Sequence, residues 1–159
     1  AVALGRQCAE RGRAILVNLE FKAARDGDPT IGLANLVRGA ASFGDIIRRD
    51  GASRLHLVAA GETEQGGAAA CLRSPQLSTM LQALSHSYDS VLLAGGTLDT
   101  SKLADWAALS TRAVLVANAV DGSLEQQMSS LRDAGFSEIF LLLASADGKQ
   151  IRERAAAAA

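Results

Sequence analysis

Two consecutive glycines follow an apolar run in the stretch YDSVLLAGGT, residues 88–97, and make this stretch a candidate anion site. In many nucleotide hydrolases a buried strand of this kind ends in an acidic residue that faces a magnesium ion. Here the run ends at Ala94, and Gly95 and Gly96 follow, so no side chain at this point can bind a metal. A Gly-Gly turn can still present backbone N–H groups to an anion. A tight turn from strand to helix would need no ligand, and both interpretations stay open.

Other reactive residues lack the spacing that their chemistry requires. The phosphate-loop pattern GxxxxGK[ST] does not occur in the sequence. His86 and Asp89 lie near several serines, but the GxSxG turn of a serine hydrolase is missing. His56 lies within an apolar run, and we interpret it as a core histidine. Cys8 and Cys71 have no metal-binding spacing, which favours two free thiols in a reducing compartment.

The composition excludes several classes of partner. The 159 residues are 48% hydrophobic and 21% charged with a formal net charge of −1, so no strong field favours nucleic acid or an anionic membrane. Aromatic residues make up only 4%, which is too few to stack single-stranded nucleic acid. No signal peptide is visible, and no apolar run approaches the roughly 20 residues of a membrane helix. We therefore expect a cytoplasmic chain without direct membrane insertion and without a nucleic-acid partner.

Five short apolar runs alternate with helical segments. Each run is nearly continuous in apolar residues, as in strands of a parallel sheet that are covered on both faces. The predicted strands are residues 14–19, 55–60, 90–95, 113–119 and 138–144, and the predicted helices are residues 1–11, 75–88, 99–110 and 123–135. This alternation predicts an α/β fold with a doubly wound, mostly parallel sheet and helices on both faces. We expect a single domain over residues 1–154.

Several regions interrupt the alternation. Residues 20–32 are predicted as a polar loop that leads into two short helices within residues 33–39 and 42–50. Residues 61–70, GETEQGGAAA, are predicted as a loop because of their glycine and polar content. Residues 155–159 form a low-complexity alanine tail to which we assign no function.

The order of these segments resembles the cytoplasmic ATPase domain of bacterial tyrosine kinases that control exopolysaccharide synthesis and export. These kinases belong to the ParA/MinD-like, deviant-Walker P-loop ATPases. Residues 1–22, AVALGRQCAERGRAILVNLEFK, are similar to the helix after the phosphate loop and the strand that carries the family's second motif. Residues 54–61, RLHLVAAG, and 72–96, LRSPQLSTMLQALSHSYDSVLLAGG, resemble the next strand, the Ser-Pro helix and the Walker B strand. The resemblance covers nearly all of residues 1–145 and implies a P-loop-NTPase-like, Rossmann-like three-layer fold.

The sequence departs from the family's motifs at the positions that carry its chemistry. Asn18 and Glu20 stand where relatives have two aspartates. Ala94 takes the place of the Walker B aspartate, and Gly95 and Gly96 follow where relatives have Thr-Pro. Magnesium is usually held by one or two carboxylates beside phosphate oxygens. The resemblance therefore implies degenerate second-motif positions at Asn18 and Glu20, a weak anion-binding turn at the glycines, and no metal site.

Two hypotheses follow from the resemblance. The first is a catalytically degenerate, kinase-like regulatory or scaffold domain of an exopolysaccharide biosynthesis or export protein, without a cofactor. Its partners would be further copies of itself and the membrane-embedded polysaccharide export or synthesis machinery, at the cytoplasmic face of the membrane. The alternative is an active ATP-dependent tyrosine autokinase or ATPase that binds ATP and magnesium, with Glu20 as its metal-facing carboxylate and a phosphate loop upstream of this segment. A partitioning or septum-placement ATPase of the same superfamily is less favoured.

Two aromatic residues bear on these hypotheses. Relatives autophosphorylate a tyrosine-rich C-terminal tail, whereas this sequence has one tyrosine, Tyr88, at a predicted junction of helix and strand. We interpret Tyr88 as structural. Trp106 is interpreted as a helix-packing residue, with a partner contact as the alternative.

Overall fold

The computed structural model describes residues 1–23, 30–64, 67–117, 122–144 and 151–155. The contacts of the chain fall into two compact units, Ala1–Thr97 and Leu98–Ala159. The single domain expected over residues 1–154 stays a prediction.

The first unit alternates helices and strands over its described residues. Its helices are α1 (Val2–Arg11), α2 (Leu33–Val37), α3 (Phe43–Ile46), α4 (Gly67–Leu72) and α5 (Pro75–Ser87). Its strands are β1 (Ala14–Asn18), β2 (Lys22–Ala23), β3 (Ile47–Arg49), β4 (His56–Val58), β5 (Glu62–Thr63) and β6 (Ser90–Ala94).

Strand β1 lies inside a four-stranded sheet of order β3-β4-β1-β6. It pairs in parallel with β4 on one side and with β6 on the other. Strand β3 is antiparallel to β4 and forms the edge, and the two-residue strands β2 and β5 form a separate parallel pair. Parallel neighbours need crossover connections, and the described connections include helices α2 to α5. The prediction of an α/β fold with mostly parallel strands is confirmed.

Both faces of β1 are covered, as its continuous apolar run predicts. Ala14 and Leu16 point to one face and form a buried cluster with Ala9 of α1 and Leu55. Ile15 and Val17 point to the opposite face because side chains alternate along a strand. Both are fully buried. The five-residue run AILVN therefore sits in the interior without needing a polar face.

Helix α5 begins where the sequence predicts and ends at Ser87, one residue before the predicted end. Ser74 caps it by accepting a hydrogen bond from the Gln76 backbone N–H at 3.2 Å, and Pro75 occupies the first turn, where a missing N–H costs nothing. Its buried residues, Leu77, Met80 and Leu84, recur at three- and four-residue spacing. The helix thereby buries one apolar face, and β6 follows it directly in the chain.

The second unit has a smaller sheet. Its elements are a 3₁₀ turn (Thr100–Lys102), α6 (Leu103–Ala107), β7 (Arg112–Ala117), α7 (Gly122–Asp133), β8 (Glu138–Ala144) and β9 (Ile151–Ala155). Strands β7 and β8 are parallel, and β9 is antiparallel to β8. Its buried core consists of Leu103, Leu115, Leu124, Leu131, Phe136, Ile139 and Leu141, and Trp106 packs against this cluster. The helix-packing interpretation of Trp106 is consistent with this contact.

Three local predictions were wrong. Residues 61–70 are not only loop, because β5 and α4 lie within them. Alanine-rich sequence after Gly67 has high helix propensity, which outweighs the glycines before it. The second short helix stops at Ile46, and Ile47–Arg49 instead pair with β4 as an edge strand. The predicted polar loop contains β2 at Lys22–Ala23, and residues 24–29 lie outside the described part of the chain.

The carboxyl end of the chain also differs from expectation. Ala155, the first residue of the predicted alanine tail, is the last residue of β9. Residues 156–159 lie outside the described part. Among the described residues, no helix combines the length and the apolar content that crossing a membrane requires.

Candidate functional site

The carboxyl ends of β1 and β6 meet at one edge of the sheet. Asn18 and Ala94, the last residues of the two strands, are direct partners in the parallel register. The pairing continues one step further, since the Leu19 backbone N–H donates to the Ala94 carbonyl at 2.8 Å. The positions that the family resemblance singles out are therefore neighbours. In parallel α/β sheets this edge is where ligands bind.

The Asn18 side chain closes a local turn. Its Oδ1 accepts a hydrogen bond from the Glu20 backbone N–H at 2.8 Å. An asparagine that bonds a backbone N–H two residues on forms an Asx turn. One of the two lone pairs of the Asn18 carbonyl oxygen thus serves its own chain.

Glu20 lies against the glycine turn that follows β6. Gly96 has a φ of +79°, a left-handed conformation that glycine adopts easily. A Cβ atom on Gly96 would collide first with Oε1 of Glu20 and then with the rest of that carboxylate. The structure therefore brings together Glu20 and Gly96. Gly95 follows directly after β6 at the same edge.

A second glycine contact closes the neighbouring loop. A Cβ on Gly32 would collide with the Ala59 carbonyl oxygen and would lie 2.6 Å from the Gly61 backbone nitrogen. The N–H groups of Leu33 and Ala34 donate to the carbonyls of Ala59 and Ala60 at 2.8 and 2.9 Å. These donors at the start of α2 are satisfied by backbone and cannot hold an anion without breaking those bonds. The sequence does not predict this contact, because neither segment carries a pattern that indicates pairing with the other.

The edge offers few ligands for a metal. Glu20 is exposed and supplies a carboxylate, Asn18 Oδ1 accepts the Glu20 N–H, and the Ala94 side chain has no ligand atom. No group of three or more His, Cys, Asp or Glu side chains with metal-binding geometry occurs in the described residues. Magnesium demands octahedral geometry and is commonly held by one or two carboxylates with phosphates and water. Among the described residues at the paired strand ends, Glu20 supplies the one acidic side chain.

The structure does not bring His86 and Asp89 together as a catalytic pair. The His86 ring bonds the Gln82 carbonyl of its own helix through Nδ1 at 2.7 Å. The Asp89 carboxylate accepts the Arg13 backbone N–H at 2.8 Å. Each side chain is engaged elsewhere, which agrees with the missing hydrolase motif.

His56 and Tyr88 form a hydrogen-bonded pair that the sequence does not predict. His56 Nδ1 and the Tyr88 hydroxyl are hydrogen bonded at 2.6 Å, and the rings meet edge to face with centroids 5.6 Å apart. Burial raises the pKa of Tyr88 above its ordinary value, and the nearby charge of Arg13 opposes this shift. The two residues are 32 positions apart, so only the folded chain reveals the contact.

The two cysteines are free thiols in the structure, as predicted. Cys71 is buried, and burial raises its pKa above the ordinary value. Since the thiolate is the reactive form, this thiol is protected from reaction at neutral pH.

Comparison with known proteins gives matches only among solved structures. No protein-family model and no curated protein matches the chain. The VpsO kinase domain superposes with a TM-score of 0.72 at 19% identity, over 89% of this chain and 74% of that one. The BceF tyrosine kinase domain gives 0.64 at 23% identity, over 84% of this chain and 57% of that one. The chain has the fold of the tyrosine kinase domains.

A MinD structure also matches the fold of this chain. The septum site-determining protein MinD from Pyrococcus horikoshii, complexed with Mg-ADP, matches with a TM-score of 0.58 at 19% identity. The match covers 88% of this chain and 61% of MinD. The chain thus spans less than two thirds of the MinD and BceF structures. At these identities the likeness concerns the fold, which agrees with the resemblance found in the sequence.

Proposed function

We propose that this chain is a kinase-like regulatory or scaffold domain of an exopolysaccharide biosynthesis or export protein, with its phosphoryl-transfer chemistry lost. The observation that carries the proposal is the pairing of Asn18 with Ala94 at the carboxyl edge of a tyrosine-kinase fold. An engaged amide and a methyl group stand where the resemblance places acidic side chains. This edge therefore has fewer acidic side chains for a divalent cation beside phosphates than the resemblance implies.

The proposed domain works through contacts rather than turnover. Its partners are further copies of the chain and the membrane-embedded polysaccharide synthesis or export machinery, at the cytoplasmic face of the membrane. The support is the likeness to VpsO and BceF together with the uncharged side chains at Asn18 and Ala94. We assign the chain to exopolysaccharide synthesis or export because its sequence resembles the kinases that control this process.

A second candidate is an active ATPase or tyrosine autokinase. Glu20 favours it, because this carboxylate is exposed and lies beside the Gly96 turn at the edge where ligands of α/β sheets bind. In this case the phosphate loop comes from sequence outside residues 1–159. Removal of the remaining carboxylate would then lower the rate by about 10²–10⁴, the usual contribution of a catalytic acid or base.

Calorimetric titration of the full-length protein with ATP and magnesium tests the two candidates. The regulatory domain predicts no magnesium-dependent heat and no hydrolysis, in the wild type and in Glu20→Gln alike. Saturable micromolar binding that Glu20→Gln weakens would establish the ATPase instead. Glu10→Gln removes an exposed carboxylate from α1 and serves as the matched control.

A gain-of-charge variant sharpens the test. Asn18→Asp keeps an oxygen that can accept the Glu20 N–H and adds a carboxylate at the edge of the sheet. If lost charge explains the degeneracy, this variant should bind magnesium more tightly than the wild type. Asn18→Ser, which keeps a small polar side chain without the charge, is the control.

A further inference from the structure

A basic cavity opens at the end of the sheet opposite to Asn18 and Ala94. It is open to solvent, has a volume of about 500 Å³, and is lined at the amino ends of β1 and β4 by Ala14 and His56. Strand β1 runs from Ala14 to Asn18, which separates the two edges by roughly 13 Å at the rise of a β-strand. The cavity is therefore distinct from the candidate nucleotide edge.

Three arginines from different segments line this cavity: Arg11 at the end of α1, Arg13 at the start of β1, and Arg54 before β4. Asp89 is the acidic residue of the lining. Arg13 Nε lies 3.9 Å from the Asp89 carboxylate, with both side chains mostly exposed, so the ion pair is weak. Within the described residues Arg11 and Arg54 form no ion pair with an acidic side chain.

The net charge of the cavity lining is positive when its charged side chains and the helix ends beside it are counted. Three guanidinium groups against one carboxylate leave an excess of two positive charges. Helices α1 and α5 end at the cavity, at Arg11 and just before Tyr88, and each helix carboxyl end contributes about half a negative charge. The remaining excess of about one positive charge favours an anion over a cation.

The polar groups behind the arginines are held in place. Asp89 accepts the Arg13 backbone N–H at 2.8 Å, and the Asp89 N–H donates to the Arg13 carbonyl at 2.9 Å. The hydrogen bond between Tyr88 and His56 Nδ1 fixes the imidazole ring. In the tautomer in which Tyr88 donates, His56 carries its proton on Nε2 as a further donor. Hydrogen bonds thus hold the Asp89, Tyr88 and His56 part of the cavity wall.

We propose that this cavity binds a phosphate monoester. Guanidinium groups match phosphate oxygens with paired hydrogen bonds, and several of them suit a dianion better than a single carboxylate. A cavity of about 500 Å³ falls in the size range of small-molecule sites and exceeds a bare phosphate. The half-buried ring of Tyr88 offers a surface for the organic part of the ester. Binding of a phosphate monoester does not require this chain to transfer phosphate. The inference therefore does not depend on the proposed function.

Calorimetric titration of the full-length protein with phenyl phosphate tests the proposal. Saturable binding is expected, and Arg11→Gln and Arg54→Gln should each weaken it roughly fivefold, the upper range for an exposed charge pair. Arg132→Gln removes an exposed arginine from the last turn of α7 and should leave the affinity unchanged. No saturation below about 10 mM, or equal losses in all three variants, would overturn the site.

Two further titrations test which ligand binds and whether it binds at the basic cavity. Inorganic phosphate should bind more weakly than phenyl phosphate, and equal affinity would overturn the monoester in favour of free phosphate. Excess ATP with magnesium should not displace phenyl phosphate if any nucleotide binds at the opposite edge. Displacement by ATP that persists in Glu20→Gln would show that the basic cavity is a general polyphosphate site and not one for monoesters.

Discussion

At the scale of single residues, the Gly96 turn and the Glu20 carboxylate constrain one another. Gly96→Ala should destabilise the protein by about 1–3 kcal/mol, because alanine is strained at positive φ and its Cβ would displace Glu20. Urea denaturation measures the change. Gly39→Ala is the matched control, since Gly39 has a φ of +73° and open space around its Cβ. Gly96→Ala should cost more than Gly39→Ala, and adding Glu20→Ala should remove the difference.

Equal costs for the two alanine variants would contradict the contact between Glu20 and Gly96. The comparison is informative because both positions share the backbone strain and differ in the neighbouring carboxylate. Sequence reasoning placed both residues at a candidate site, but it could not show that one rests on the other. That contact depends on the register in which β1 and β6 pair.

Asn18 is expected to act through its turn. Asn18→Ala removes the acceptor for the Glu20 N–H and should lower the free energy of unfolding by about 0.5–1.5 kcal/mol. Asn18→Asp keeps an acceptor and should retain most of the wild-type stability at neutral pH. Urea denaturation of both variants checks this order. A fully stable Asn18→Ala would mean that the Asx turn contributes nothing to the fold.

At the scale of elements, a bidentate ion pair ties helix α1 to the turn between β3 and β4. Arg6 donates from Nε and Nη2 to the two Asp50 oxygens at 2.9 and 3.0 Å, and Ser53 Oγ donates to the same carboxylate at 2.6 Å. These hydrogen bonds from Arg6 and Ser53, with the Arg6 charge, lower the pKa of Asp50 from 3.8 to about 2. The contact links segments that are distant in sequence and adjacent only in the fold.

The lowered pKa of Asp50 predicts acid sensitivity. A depressed folded-state pKa stabilises the protein above the unfolded value of 3.8, and this contribution is lost as the pH falls toward about 2. Asp50→Asn should lower the thermal midpoint at pH 7 and flatten its dependence on pH between about 4 and 2. Asp133→Asn, an exposed residue at the end of α7, is the control and should keep the wild-type slope. An unchanged slope in Asp50→Asn would contradict the prediction.

The sequence predicts the long elements and misses the short ones for a physical reason. Residues 14–18 and 138–144 carry enough apolar residues to mark a strand covered on both faces. The strand at Ile47–Arg49 has two arginines in three residues, and its identity comes from the antiparallel ladder with β4. Strands of two residues, such as Lys22–Ala23, exist only through their partner. Local pattern cannot reveal structure that pairing creates.

The same limit applies to the sites. Adjacent carboxyl ends of parallel strands are expected to gather side chains, so Asn18, Glu20 and the glycine turn could be singled out from the sequence by family resemblance. The cavity between Arg11, Arg13 and Arg54 had no such signal, because Arg54 lies far along the chain from the other two and the three share no motif. Folding collects them at the amino edge of the sheet.

At the scale of the whole molecule, strand β7 presents an apolar face to solvent. Val114 and Val116 are 43% and 55% exposed, whereas Leu115 between them is only 9% exposed. Neighbouring exposed valines on one face mark a surface that tends to associate. We expect the protein to self-associate with rising concentration, and Val114→Thr with Val116→Thr to reduce this.

Sedimentation velocity over a concentration series measures the association. Threonine keeps the β-branched shape that strands favour, so the double variant should retain its fold. Val2→Thr changes an exposed valine of α1, 41% exposed, and should leave association unchanged. A concentration series that is identical for the wild type and the double variant would rule out this face as the contact.

The aromatic residues give each compact unit its own optical reporter. The sequence has one tyrosine and one tryptophan, and Tyr88 lies in the first unit and Trp106 in the second. Emission of the indole reports the second unit alone, and near-ultraviolet dichroism adds the phenol of the first, so both can be followed in a single melt without attaching a dye. Coincident traces would indicate one cooperative body, and separated traces would reveal two that melt on their own.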